Sequence, residues 1–174
     1  YTGRVEVDGK YVTLDDGTPL QYMPLAVEQN LTASKYIETA GARMKKYEVD
    51  RTAYSDGRMP DNDIVLYRYA DVLLMKAEAK VRNGETGDEQ LNAVRSRAGM
   101  PSLAATLANI LDERLLELVW EGWRRQDMIR FGTYCEPYDI HTPSAADKKG
   151  YTIVFPIPEK ARELNPNLAQ NPGY

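Results

Sequence analysis

Leu111, Leu115, Leu118 and Gly122 recur at i, i+4, i+7 and i+11, with Val119 beside them. This is the period of a helix with one buried face. The spacing predicts one long helix over about 105–132, of which Leu111–Gly132 is the organising stretch. Glu113, Glu117 and Glu121 stand four apart and fall on the other side of that helix. Asp112 lies toward its start, and Arg124, Arg125 and Arg130 crowd its end, both favourable to the helix dipole. Gly132 suits a stop, and Gly122 a kink.

A second stripe, Leu66, Ala70, Leu73, Ala77 and Val81, predicts a helix with Asp63 as N-cap and Asn83-Gly84 as its end. A third helix is expected over about 87–98, facing inward through Leu91, Val94 and Ala98 and halted by Gly99 and Pro101. The pair reads as a helical hairpin, and Arg68–Pro101 has about the length of one tetratricopeptide repeat.

Before Ile64 the pattern changes. Val5–Leu14 alternates around Asp8-Gly9, the strongest hairpin signal in the chain. Asp15–Pro19 reads as a turn, Gln21–Ala40 carries little pattern, and Arg43–Val49 reads as a strand with one charged face. Asp50–Asp63 reads as a loop. After Gly132, Cys135–Gly150 is expected as a surface loop, Tyr151–Phe155 as a short strand and Pro158–Leu164 as one or two helical turns. The tail carries two Asn-Pro steps and is expected to be irregular. The expected fold is mainly α: a tetratricopeptide-like hairpin plus a long helix, with a small β-hairpin and loop-rich region. The boundaries are 1–63 for the strand- and loop-rich part and 64–174 for the helical part, one domain overall.

Composition narrows the function classes. The 174 residues carry a net charge of −4 without a basic run, which argues against nucleic acid as a partner. No apolar run approaches a membrane span. The chain starts without Met, signal peptide or lipid-attachment Cys, so the expectation is a piece of a longer polypeptide. A single cysteine, Cys135, excludes an intrachain disulfide. Twelve tyrosines against two Trp and two Phe favour surfaces that meet polar ligands with a ring and a hydroxyl.

The candidate chemistry is sparse. Glu113, Glu117 and Glu121 have the spacing of a carboxylate cluster, but stacked like charges repel, and Arg114, Arg124 and Arg125 lie within reach to offset them. Arg68–Asp71 and Glu78–Arg82 are local pairs, with Arg95 and Arg97 on the next helix as alternative partners. An ion-pair role is favoured over acid–base or metal chemistry for all of these. His141, the only histidine, reads as a solvated loop residue near Asp139, and Cys135 as a small packed side chain. Asp56, Asp61 and Asp63 share a loop but lack the EF-hand spacing. Asn30-Leu31-Thr32 matches a glycosylation sequon. No metal or cofactor is expected. Tyr11, Tyr22, Tyr36 and Tyr54, outside the helices, are the ligand-contact candidates, and packing is the competing reading. Trp120 and Trp123 are expected in core or interdomain packing.

Three segments resemble, in order and spacing, the C-terminal part of the SusD/RagB family. They are Arg68–Ala79 (RYADVLLMKAEA), Leu91–Gly99 (LNAVRSRAG), and Glu113, Arg114, Glu117, Glu121-Gly122, Arg124, Asp127 and Arg130. Pro156-Ile157-Pro158, Asn165–Leu168 and Gln170–Tyr174 are similar to the family terminus. Arg125 and Gln126 stand where aromatics are frequent in the family, and Phe131 where Trp is common. The resemblance covers roughly residues 43–174 and leaves 1–40 without an assigned motif. It implies a non-enzymatic, lipid-anchored nutrient-binding protein of the outer-membrane surface, partner to a SusC-like TonB-dependent channel and binding an oligosaccharide or other nutrient. Its alternative is a helical interaction module that contacts the channel without a small ligand of its own. Under this resemblance Arg68, Asp71, Glu78, Arg95, Arg97, Glu113, Glu117, Glu121, Arg124, Asp127 and Arg130 form a structural ion-pair network.

Overall fold

The computed structural model describes residues 3–25, 39–44, 46–47, 50–53, 55, 57, 59–138 and 142–174. The chain divides into two units, Tyr1–Asp63 and Ile64–Tyr174. Helices dominate, and the strands are short.

In the first unit, β1 (Gly3–Arg4) pairs antiparallel with β4 (Gln21–Tyr22), and β2 (Glu6–Val7) with β3 (Lys10–Tyr11). The β2–β3 turn is the expected one. Asp8 and Gly9 have φ of +51° and +75°, the two left-handed positions a tight hairpin needs. Backbone bonds from Val5 to Leu20, Val12 to Val5 and Leu20 to Val12 knit the two small sheets together. The turn at 15–19 is held by Thr18 N donating to Asp16 Oδ1 at 2.8 Å. The strand expected over Arg43–Val49 is absent at its described residues, Arg43, Met44, Lys46 and Tyr47. Arg43 instead donates to Ala40 O and lies over the Tyr22 ring, so this stretch folds back locally. Asp50 organises the following loop by accepting from Thr52 N, Thr52 Oγ1 and Asp61 N.

In the second unit, α1 (Tyr69–Arg82) and α2 (Asp88–Arg97) form the expected helical hairpin, closed by the Asn83-Gly84 turn. The start of α1 differs from expectation. Ile64–Arg68 is not helical, Leu66 is exposed, and Asp63 caps nothing. Arg68 is extended, with its guanidinium held by the distant carboxylates of Glu117 and Glu121, and the helix begins at Tyr69, five residues later than an Asp63 N-cap would place it. Ala98 lies outside the helix and is exposed, whereas Leu91 and Val94 are buried as expected. Gly87, before α2, sits so close to α1 that a Cβ there would lie 2.7 Å from the Ala77 carbonyl oxygen. The hairpin is pinched at that point, and only glycine allows it.

The long helix is two helices. α3 (Leu107–Glu117) opens with Thr106 capping Asn109 N at 3.1 Å, and α4 (Arg124–Phe131) ends at left-handed Gly132. Between them Trp120 and Gly122 take φ of +67° and +80°, which no helix can contain. The buried stripe also differs from the expected one. Ile110, Leu111, Arg114 and Leu118 face inward, while Leu115 is 39% exposed. Glu113 and Glu117, expected on the solvent side, are buried. Trp120 is exposed rather than packed, and Trp123 is half-buried with its ring 5.2 Å from that of Tyr67. Leu74, Ala77, Leu91, Val94 and Ile110 make the apolar core, where α1, α2 and α3 meet.

Beyond Gly132 the chain is irregular, with 3₁₀ turns at Asp147–Lys149 and Tyr151–Ile153. The latter replaces the expected Tyr151–Phe155 strand. Gly150 turns left-handed before it, and the carbonyls of Thr152, Ile153, Val154 and Phe155 accept from the side chains of Arg125, Tyr174 and Asn171. α5 (Glu159–Leu164) matches the expected turn or two. Gln170 then bonds both the N–H and the carbonyl of Ile157, and Tyr174 Oη donates to Val154 O, so side chains do the work of a strand ladder.

Candidate functional site

The concentration of chemistry-bearing side chains lies between α1, α3 and α4. Arg114, on the inward face of α3, is 2% exposed. Its Nη1 donates to Asp71 Oδ1 of α1 at 2.7 Å. Its Nε lies 2.8 Å from Asp127 Oδ1 of α4, near enough for an ion pair though not aligned as a hydrogen bond. Asp71 and Asp127 are each 1% exposed. Asp127 also accepts from Arg130 at 2.7 Å, and Arg130 reaches Glu78 of α1, which Arg82 holds as well. One chain of charges thus ties three helices.

A second group joins α2 and the α1 entrance to α3. Arg95 donates to Glu113 at 2.5 Å and to the Pro101 carbonyl. Glu117 is held by both Arg97 and Arg68, and Arg68 also binds Glu121. Buried charges such as these need paired, hydrogen-bonded partners. Arg124, expected in the network, meets no carboxylate among the described residues; it donates to the Leu111 carbonyl. Arg125 likewise serves backbone carbonyls, those of Thr152 and Ile153, and not the glutamates it was expected to offset.

The titration shifts follow from this geometry. Burial pushes the Glu78 carboxyl upward, but hydrogen bonds from Arg130 and Arg82, and their charge, hold it below its usual value. Arg130 is raised, chiefly by its bond to Glu78. Burial works to lower Arg68, yet Glu121 and Glu117 together raise it. In the first unit, Asp50 is lowered to about 2 by the Asp61 and Thr52 hydrogen bonds.

General acid–base work requires a carboxyl that is free to trade a proton with a bound substrate. Here each clustered acid is paired with one or more guanidinium groups. Among the described residues no group of three His, Cys, Asp or Glu is placed to hold a metal ion. Asp56, of the candidate acidic loop, lies outside the described residues, as do His141 and Asn30. Cys135 is half-buried and unpaired by disulfide. Of the ligand candidates, Tyr11 is exposed with Arg4 stacked 4.3 Å from its ring centre, and Tyr22 is half-buried beneath Arg43. Tyr36 and Tyr54 lie outside the described residues.

Arg114, which its spacing presents only as a counter-ion to the glutamates, is the hub. A signal was available: Arg114 follows Ile110 and Leu111 by one turn and precedes Leu118 by another, an arginine inside an apolar stripe.

The model of the SusD family matches residues 26–174. Over 139 residues the chain is 30% identical to the starch-binding protein SusD of Bacteroides thetaiotaomicron, covering 76% of this chain and 25% of that protein. SusD-like proteins P38 and P25 of Formosa agariphila are 32% identical over 130 residues and 36% identical over 134, each match covering 66% of this chain and 25% of the relative. The chain therefore spans about a quarter of the length of the curated relatives it matches. On the strength of the family match over most of its length, this chain belongs to the SusD family.

Proposed function

We propose that the protein contributes to a non-catalytic, cell-surface nutrient-binding component of a SusC/SusD-type outer-membrane uptake complex, with an oligosaccharide as ligand. In the full-length protein a lipid anchor would hold it at the outer membrane beside a SusC-like TonB-dependent channel. The observation that carries this reading is the family match together with a relative whose name records starch binding. The geometry supports the non-catalytic part. A glycosidase needs two carboxyls about 5–10 Å apart in an open cleft. Glu117 and Glu121 are instead buried against Arg68.

The ion-pair residues of the helical unit serve, in this reading, as scaffold. Calorimetric titration of the protein with maltoheptaose and a panel of soluble glycans tests the binding, with hydrolysis of the same glycans assayed in parallel. Saturable heat without product supports the proposal, and turnover of any glycan refutes it. A second reading, a module that docks on the channel without a glycan of its own, is favoured by the exposed Ile64, Leu66 and Tyr67 of the helical unit. Capture of the channel without glycan heat would select it.

A further inference from the structure

Asn83-Gly84, at the turn between α1 and α2, is the only Asn-Gly step in the chain. Asparagine is a thermolabile residue, and a following glycine exposes it most, having no β-carbon to shield its nitrogen. The Gly84 nitrogen attacks the Asn83 side-chain carbonyl carbon. An N–C bond forms, the Cγ–Nδ2 bond breaks, and ammonia leaves with the amide proton. Water then opens the resulting five-membered imide at either carbonyl. The product is aspartate, or isoaspartate with its backbone running through Cγ.

The fold leaves both reacting groups open to water. Asn83 and Gly84 are exposed, and the Asn83 side-chain amide has no hydrogen-bond partner among the described residues. Nothing lies within 4 Å of the place a Gly84 Cβ would occupy. The backbone nonetheless holds the two atoms apart. The ring closes only when the Gly84 nitrogen swings into the plane of the Asn83 side chain. With φ of −86° and ψ of 2°, Asn83 lies in the bridge region and turns that nitrogen away. Rotation would break the bonds from Gly84 N–H to the Val81 carbonyl, at 3.1 Å, and from Glu85 N–H to the Lys80 carbonyl, at 2.8 Å. Three residues on, the pinch of Gly87 against Ala77 closes the hairpin behind this turn.

We infer that Asn83 is a deamidation site gated by the fold, closed while the α1–α2 turn is wound and open when it unwinds. The change is one-way. A carboxylate at residue 83 faces the negative end of α1. Isoaspartate also adds a backbone carbon between residues 83 and 84, which shifts the bonds to Val81 and Lys80 out of register. Each molecule whose hairpin has opened is thereby marked and its turn weakened, whatever ligand the protein binds.

The test incubates the protein at mildly alkaline pH, with and without denaturing guanidinium chloride, and quantifies aspartate and isoaspartate at residue 83 by peptide mapping. Residue 83 should deamidate ahead of the other asparagines in denaturant, and at least about tenfold more slowly in the native protein. Hydrogen exchange of the Gly84 amide, which requires the same bond to break, should be slowed in the native protein as well. Gly87→Ala, which pries the hairpin apart, should speed native deamidation at least about threefold. Sub-denaturing guanidinium chloride makes the same comparison in the unaltered sequence, so a variant that does not fold leaves the test intact. There the rate should rise in step with Gly84 exchange. Equal rates with and without denaturant overturn the proposal, as does the absence of product at residue 83 in denaturant. A native rate that stays flat while Gly84 exchange accelerates also overturns it.

Discussion

The two units of this chain solve the same problem, fixing one arrangement of short elements, by opposite means. The helical unit buries its charges. Arg114, Asp71 and Asp127 sit among the least exposed side chains of the protein. Among its described residues the first unit buries no charge, and it relies on turns: Asp8-Gly9, Gly17 and the Asp50 hydrogen bonds. Buried ion pairs add little net stability over an apolar core, but breaking one is severe. A left-handed glycine carries no backbone strain, and replacing one acts locally, at about 1–2 kcal/mol. The contrast teaches that position within this fold, not residue type, decides what a charge is for.

The largest effect should come from Arg114→Leu, which strands buried Asp71 and leaves buried Asp127 with Arg130 alone. A loss of about 3–5 kcal/mol in urea unfolding is expected. A loss below about 1 kcal/mol, the range of exposed pairs, would erase the distinction between the units. Gly87→Ala should cost about 1–3 kcal/mol, because its methyl group meets the Ala77 backbone. Unchanged unfolding would show that α1 and α2 are free to separate there.

In the first unit, Gly9→Val should cost about 1–2 kcal/mol locally, through the left-handed backbone that a β-branched residue resists. Amide shifts of Glu6–Tyr11 report it, and persistence of the β2–β3 pairing would contradict the assignment of the turn. The smallest effect is acid sensitivity. The Glu78 carboxyl is held below its unfolded value of about 4.5, so its contribution is present above that pH and lost as pH falls through the folded value. Asp50 follows the same sign, its contribution fading between 3.8 and about 2. Carboxyl NMR titration should therefore show both groups ionised at pH 4.5, and a Glu78 midpoint at or above that pH would count against the Arg130–Glu78 link.

Much of the helical unit was legible because its signals are local. The stripe through Ala77 and Val81, the Asn83-Gly84 stop and the Gly99 terminus need no knowledge of neighbours. What was not legible came from distant partners. Nothing near Arg68 announces that Glu117 and Glu121 will hold it extended and delay α1. Trp120 has ordinary helix propensity, and only the turn it occupies reveals a left-handed backbone. The acids at Glu113 and Glu117 look solvent-facing on a helical wheel. They are buried because arginines from other elements reach them, a fact that pairing across the sequence alone supplies. For the ligand-contact candidates, the sequence places Tyr11 outside the helices but does not announce the arginine laid over its ring.

Arg68 also sets a mechanical property. Its backbone leads into α1, while its guanidinium grips Glu117 and Glu121. Tension arriving along the chain from the Ile64 side is diverted through that side chain into α3 before it can peel the first turn of α1. The joint behaves as a strain relief on a cable, and the helical hairpin behind it is shielded from the pull.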